Sequence, residues 1–167
     1  VRAVAERARL TKAGLYYHIK EKEDLLFQIC EHSIQSILDG ARAALAREAE
    51  PAARLEALVR NHCGFFFRHP HNLTVLNRDM GALTGAQREA IRALEKAYLD
   101  LVRDVFRDGQ KRGRFRKLDP TVAAFALLGV LNSFDRWYDP AGPVAPDALV
   151  EHVETIFLHG VAEERRK

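Results

Sequence analysis

Apolar residues recur at steps of three and four along the chain, with no run of period-two alternation, so the pattern predicts an all-α protein. The first elements read as a short helix up to about Ala8, a turn at Arg9 and Leu10, and a second short helix after Thr11. Residues 22–47 form a long helix with Leu26, Ile29, Ser33, Ile37 and Ala44 on one stripe. Pro51 opens the next helix and His69-Pro70 closes it, with Leu55, Leu58, Val59, His62, Phe65 and Phe66 on one face. A shorter helix covers Asn72 to Met80, and Gly81 with Thr84-Gly85 breaks the pattern. Residues 86–111 then set Ile91, Leu94, Tyr98, Leu101 and Val105 along a bundle-type seam that Gly113 ends.

The segment from Thr121 to Phe134 differs in kind, because no face of it carries a charge. A helix apolar all round is buried on more than one side, and this one is too short to cross a bilayer. Its own bundle covers one side and a second copy of the chain the other. After the loop Asp139 to Pro146, the last helix adds Leu149, Val153, Ile156, Phe157 and Gly160 as a second apolar stripe. Two such helices per subunit predict a symmetric four-helix homodimer interface. The alternative is a monomer whose uncharged helix is wrapped by its own chain.

Composition adds bounds. With 167 residues, 47% hydrophobic and 29% charged, the chain can bury a core without a disulfide or metal. Cys30 and Cys63 sit inside helical patterns without C-x-x-C spacing, as small buried side chains in a reducing compartment would. No apolar run reaches membrane-spanning length and the start lacks a signal-peptide layout, so a soluble, cytoplasmic protein is expected. The signatures G-x-S-x-G, G-x-x-x-x-G-K and H-E-x-x-H do not occur, which argues against an enzyme and predicts no catalytic residues, metal or cofactor. Net charge is only +3 but unevenly spread. Arg2, Arg7, Arg9, Lys12 and Lys20 face Glu6 alone in the first twenty residues, and Lys111 to Lys117 carries five cations in what reads as a solvated turn.

Short helix, tight turn, short helix is the geometry that lays one helix across a DNA backbone and the next in the major groove. Thr11 is a good N-cap, and the free amides behind it favour a phosphate. Leu15 and Ile19 can face inward, leaving Lys12, Ala13, Tyr16, Tyr17 and His18 around the outer sides. Tyrosine supplies a flat apolar body and a hydroxyl, and lysine supplies sequence-independent attraction.

The stretch Leu10-Thr-Lys-Ala-Gly-Leu-Tyr-Tyr-His-Ile-Lys-Glu-Lys-Glu-Asp-Leu-Leu26 resembles the DNA-binding signature of TetR-family transcriptional regulators. The resemblance implies phosphate contacts from Thr11, Tyr17, His18 and Lys22, groove contacts from Lys12, Ala13 and Tyr16, and a further DNA contact from Arg2. It also implies a palindromic operator, a DNA-binding domain at 1–24 lacking the family's first helix, and a ligand-binding and dimerisation domain at 25–167. Three positions depart from the signature: Arg9 replaces a turn glycine, Gly14 a hydroxyl residue, and Ile19 a phenylalanine.

Polar and aromatic residues set on apolar stripes mark His62, Phe66, Tyr98, Asn132, Arg136 and Trp137 as candidate ligand contacts. Each polar member has a structural alternative: His62 as a core histidine, Asn132 as an interface amide, Arg136 as a cation at a helix C-terminus. Leu76 to Met80, Asp108 to Phe115 and Arg136 to Pro143 resemble a TetR subgroup that responds to acyl-CoA thioesters, whose phosphates the Lys111 to Lys117 cluster could meet. The expected function is a repressor released from DNA by a small apolar effector such as an acyl-CoA. Two alternatives stay open: an efflux regulator responding to aromatic or cationic drugs, and an all-α small-molecule-binding or hydrolytic domain without a DNA function.

Overall fold

The computed structural model describes residues 11–78 and 80–161, and in them the chain is mainly helical with no strand. Seven α-helices follow in order: α1 Lys12–Leu45, α2 Pro51–Arg68, α3 Pro70–Arg78, α4 Gly85–Lys111, α5 Pro120–Leu131, α6 Phe134–Trp137 and α7 Pro146–Val161. A 3₁₀ turn at Met80–Ala82 precedes α4. Among these residues no helix is long and apolar enough to cross a membrane.

The boundaries follow local chemistry. Pro51 opens α2, where a missing N–H costs nothing, and His69 ends it in a non-helical conformation imposed by the following Pro70. Thr84 and Gln87 cap α4 reciprocally: the Gln87 amide donates to the Thr84 hydroxyl at 3.3 Å and the Thr84 amide to Gln87 Oε1 at 3.0 Å. Asp119 caps α5, its Oδ1 accepting from the amides of Thr121 at 2.7 Å and Val122 at 3.0 Å. At the far end of α4 the chain turns through Gly113 at φ 64° and folds back, so that the Phe115 ring lies on Gly109 where any β-carbon would collide.

Two expected boundaries are corrected. The short helix after Thr11 and the helix at 22–47 are one 34-residue element, because Lys20-Glu-Lys-Glu-Asp contains neither glycine nor proline to interrupt it. The expected domain boundary at 24 therefore falls inside a continuous helix. The uncharged helix ends at Leu131 instead of Phe134, and a four-residue helix begins again at Phe134. Asn132 and Arg136 consequently do not share a helix.

Helices α1, α2, α4 and α5 enclose the core, α7 packs on α2, and α3 crosses α1 and α2. Ile34, Ile37, Leu38 and Ala41 of α1 meet Leu55, Leu58, Val59 and Phe66 of α2, with Ile91, Val102 and Val105 of α4 and Ala124, Leu127 and Leu131 of α5. The whole predicted face of α2 is buried. Asn61 and Ser33 enter the core already paired. Asn61 donates to the Ile37 carbonyl at 2.9 Å beside Gly40, and Ser33 bonds the Ile29 carbonyl at 2.6 Å while accepting from Asn72 at 2.9 Å. Cys30 and Cys63 are fully buried, and burial, reinforced by the Glu154 carboxylate, pushes the Cys63 thiol up to about 12.

Candidate functional site

Between α1, α2, α4 and α5 the helices leave a cavity of about 520 Å³. Ile34 and Ile37 of α1, Leu76 of α3, Leu99 of α4 and Leu128 of α5 supply apolar wall. His62, Tyr98 and Asn132 supply polar groups, and Arg92, Glu95 and Lys96 form a charged edge along α4. Phe125 and Gly129 complete the wall from exposed positions on α5, so this side opens outward. A largely apolar hollow with few placed polar groups is the usual form of a small-molecule site. A second hollow of about 320 Å³, between α2 and α7, is walled by Glu56, Arg60, Glu151 and Glu154 and has an ionic character instead.

His62 stands in the cavity wall because α2 turns it to the same side as Leu58 and Phe66, and it is only 2% exposed. Its Nδ1 lies 3.0 Å from the Tyr98 hydroxyl, and the two rings stack at 5.8 Å. Nε2 is buried with no hydrogen-bond partner in proper geometry. Loss of hydration lowers the imidazole pKa to about 4, against a weaker upward push from the neighbouring Asn132 amide, so the ring is neutral at pH 7. Burial likewise raises the Tyr98 phenol, which keeps its proton. At the edge, partial burial lifts the Glu95 carboxyl above its ordinary value while Arg92 opposes it, and Lys96 is held by Asp100 at 2.6 Å.

Of the six candidate ligand contacts, the structure brings His62, Tyr98 and Asn132 together. The other three lie elsewhere. Phe66 is buried on Phe134, Phe67 and Tyr138, one turn beyond His62 and facing a different neighbour. Arg136 and Trp137 belong to α6, displaced by the break at Asn132. Arg136 is exposed, and Trp137, 57% exposed, donates Nε1 to the Ser133 hydroxyl at 3.1 Å. Nor does the Lys111 to Lys117 cluster line the cavity: Arg112 and Arg114 pair with Glu50 at 3.0 and 3.8 Å and tie the turn to the start of α2. Nothing in the sequence distinguishes the edge residues Arg92, Glu95 and Lys96 from a solvated helix face, although they flank Tyr98 at helical spacing.

At the other end, Thr11 is exposed immediately before α1 and Lys22 is exposed on it. Lys12, Ala13, Tyr16, Tyr17 and His18 occupy its first turns by backbone, while their side chains, and the whole of Arg2 and Arg9, lie outside the described residues. Helix α1 thus joins the Thr11–Lys22 stretch directly to Ile34 and Ile37 in the cavity wall.

Known proteins share this fold. A solved structure of AibR in complex with isovaleryl coenzyme A and operator DNA is 30% identical, covers 93% of this chain and 85% of its own, and superposes with a TM-score of 0.76. PfmR, a TetR-family transcriptional regulator from Thermus thermophilus, is 26% identical over 96% of this chain and 87% of its own, with a TM-score of 0.79. The HTH-type transcriptional regulator YhgD of Bacillus subtilis is 26% identical over 95% of this chain and 84% of its own length. Residues 48–161 match the family model of the tetracyclin repressor-like C-terminal domain, well over half the chain, and the protein therefore belongs to the TetR family of transcriptional regulators.

Proposed function

We propose that the protein is a homodimeric transcriptional repressor that binds a palindromic operator and leaves it when an effector fills the α1–α2–α4–α5 cavity. The observation that carries this reading is the path of α1, which begins in the Thr11–Lys22 signature and ends as a wall of the cavity. An effector that pushes on Ile34 or Ile37 tilts a single rod, and the far end moves with it. Release requires tighter effector binding to the DNA-free form, with coupling of about 1–3 kcal/mol. On this reading residues 1–24 form the DNA end, with Arg2, Thr11, Lys12, Ala13, Tyr16, Tyr17, His18 and Lys22 as contacts, and the remainder holds ligand and partner.

The dimer reading is supported by α5 and α7. Val122 is 67%, Phe125 58% and Ile156 67% exposed, while Ala126, Gly129 and Gly160 let another backbone approach. An acyl-CoA is the preferred effector. AibR is a relative seen with isovaleryl coenzyme A, and among the described residues the inner wall of the cavity has no carboxylate to hold a cationic drug, Glu95 lying at its edge. Binding, not catalysis, is the activity assigned, in the cytoplasm where the operator is. The test is a gel shift with full-length protein on duplexes selected from a random pool, followed by acyl-CoA titration. A retained palindrome released by an acyl-CoA supports the reading; retention of no particular sequence at low salt overturns it.

A further inference from the structure

The cavity wall contains a buried polar atom, His62 Nε2, that makes no hydrogen bond of proper geometry, although the Asn132 amide lies beside the ring. Resting on the proposed function, we infer that His62 donates a hydrogen bond from Nε2–H to the carbonyl oxygen of an acyl thioester effector, and that Tyr98 is the positioning residue that keeps the proton on Nε2.

Hydrogen-bond bookkeeping leads there. A neutral imidazole has one donor nitrogen and one acceptor nitrogen, and the hydrogen bond at one of them decides the other. Among the described residues the Tyr98 hydroxyl bonds His62 Nδ1 and nothing else, at 3.0 Å, and Tyr98 is 7% exposed. If Nδ1 carried the proton, the phenol would have to accept, and its own O–H would be stranded in the interior at the cost of a buried unmade bond. If the phenol donates, its proton is used and the ring proton goes to Nε2. That leaves one unmet donor, in a cavity wall, on a side chain 98% removed from solvent. The Asn132 amide in the same wall raises the ring pKa but makes no hydrogen bond of proper geometry to Nε2.

The chemistry of the occupant follows. An unmet neutral donor calls for an acceptor, and the apolar wall of Ile34, Ile37, Leu76 and Leu99 calls for a hydrocarbon chain beside it. A cation gains nothing from an N–H donor. An ionised carboxylate would give up its hydration for one neutral donor, a poor exchange. A thioester carbonyl needs only the one bond and carries no charge, and its acyl chain fits the apolar side.

Two measurements on DNA-free, full-length protein test the inference. In long-range ¹H–¹⁵N spectra at pH 7, His62, identified by loss of its signals in His62→Phe, should show a protonated Nε2 and a bare Nδ1. Tyr98→Phe should mix the two tautomers. A protonated Nδ1 in the native protein overturns the inference. In calorimetry, isovaleryl-CoA should bind about tenfold tighter than the thioether with CH₂ in place of the carbonyl. His62→Phe should bring that ratio close to one. Equal affinities in the native protein, failure of both to bind, or tighter binding of free isovalerate also overturns it. Failure of the repressor reading looks different: selected DNA would stay bound at every effector concentration while the tautomer and the affinity ratio remained as expected.

Discussion

Helices α4 and α5 pack on each other and wall the same cavity, yet they meet the outside in opposite ways. Inward they are alike, with Val102 and Val105 on one and Ala124, Leu127 and Leu131 on the other fully buried. Outward, α4 carries ion pairs: Lys96 with Asp100 at 2.6 Å, Arg103 with Asp100 at 2.9 Å and Arg107 with Asp104 at 3.0 Å. Helix α5 presents Val122, Phe125 and Val130 instead, with no charge from Pro120 to Leu131. Surface ion pairs add little to stability and chiefly keep a face in water. An uncovered apolar face gains only by meeting another one. The contrast teaches that a helix's inner face reports its fold and its outer face reports its company.

Substitutions can break that contrast or sharpen it. The largest effect is expected where the helices agree: Leu127→Ala empties a buried site and should cost roughly 3–4 kcal/mol in urea unfolding, at every protein concentration. Val122→Glu acts on the outer face. Glutamate in the first turn of α5 suits the helix dipole, so the fold should stand while dimer association weakens by about 100-fold, read by sedimentation equilibrium. An unchanged association constant would remove α5 from the interface.

His62 gives the third effect. Its folded pKa of about 4 lies below the ordinary 6.5, so the unfolded chain binds the proton more readily and acid favours unfolding. The contribution is fully present above pH 6.5 and is lost as the pH falls toward 4. Between pH 7 and pH 5 the native protein should lose about 2 kcal/mol more than His62→Phe, measured by paired denaturant melts. The smallest effect is expected at Asp104→Ala on the outer face of α4, within about 0.5 kcal/mol and without any change in association.

Much of this was legible in the sequence. Prolines, a capping box and an aspartate cap mark the ends of α2, α4 and α5, because those signals act within one turn. The buried face of α2 could be read from spacing alone. Continuity of α1 was open to the same reading, because Lys20 to Asp24 holds no glycine or proline, but the apolar stripe that marks the long helix begins only at Leu26. The cavity was half legible. His62, Tyr98 and Asn132 stand out as polar groups beside apolar stripes, whereas Arg92, Glu95 and Lys96 look like any solvated helix face. Which aromatic residues line a hollow and which pack on one another depends on how helices cross. Phe66 went to Phe134, and Trp137 went outward once the chain broke at Asn132.

The interior placement of the two thiols has a practical side. Cys30 and Cys63 are the chain's only cysteines, both fully buried, and at a pKa of about 12 the Cys63 sulfur is scarcely ever the thiolate that maleimides attack. A cysteine introduced at Lys22 would therefore take a spin label or fluorophore against a quiet background. The spacing between the labelled α1 helices of a pair could then be followed with both native sulfurs left in place.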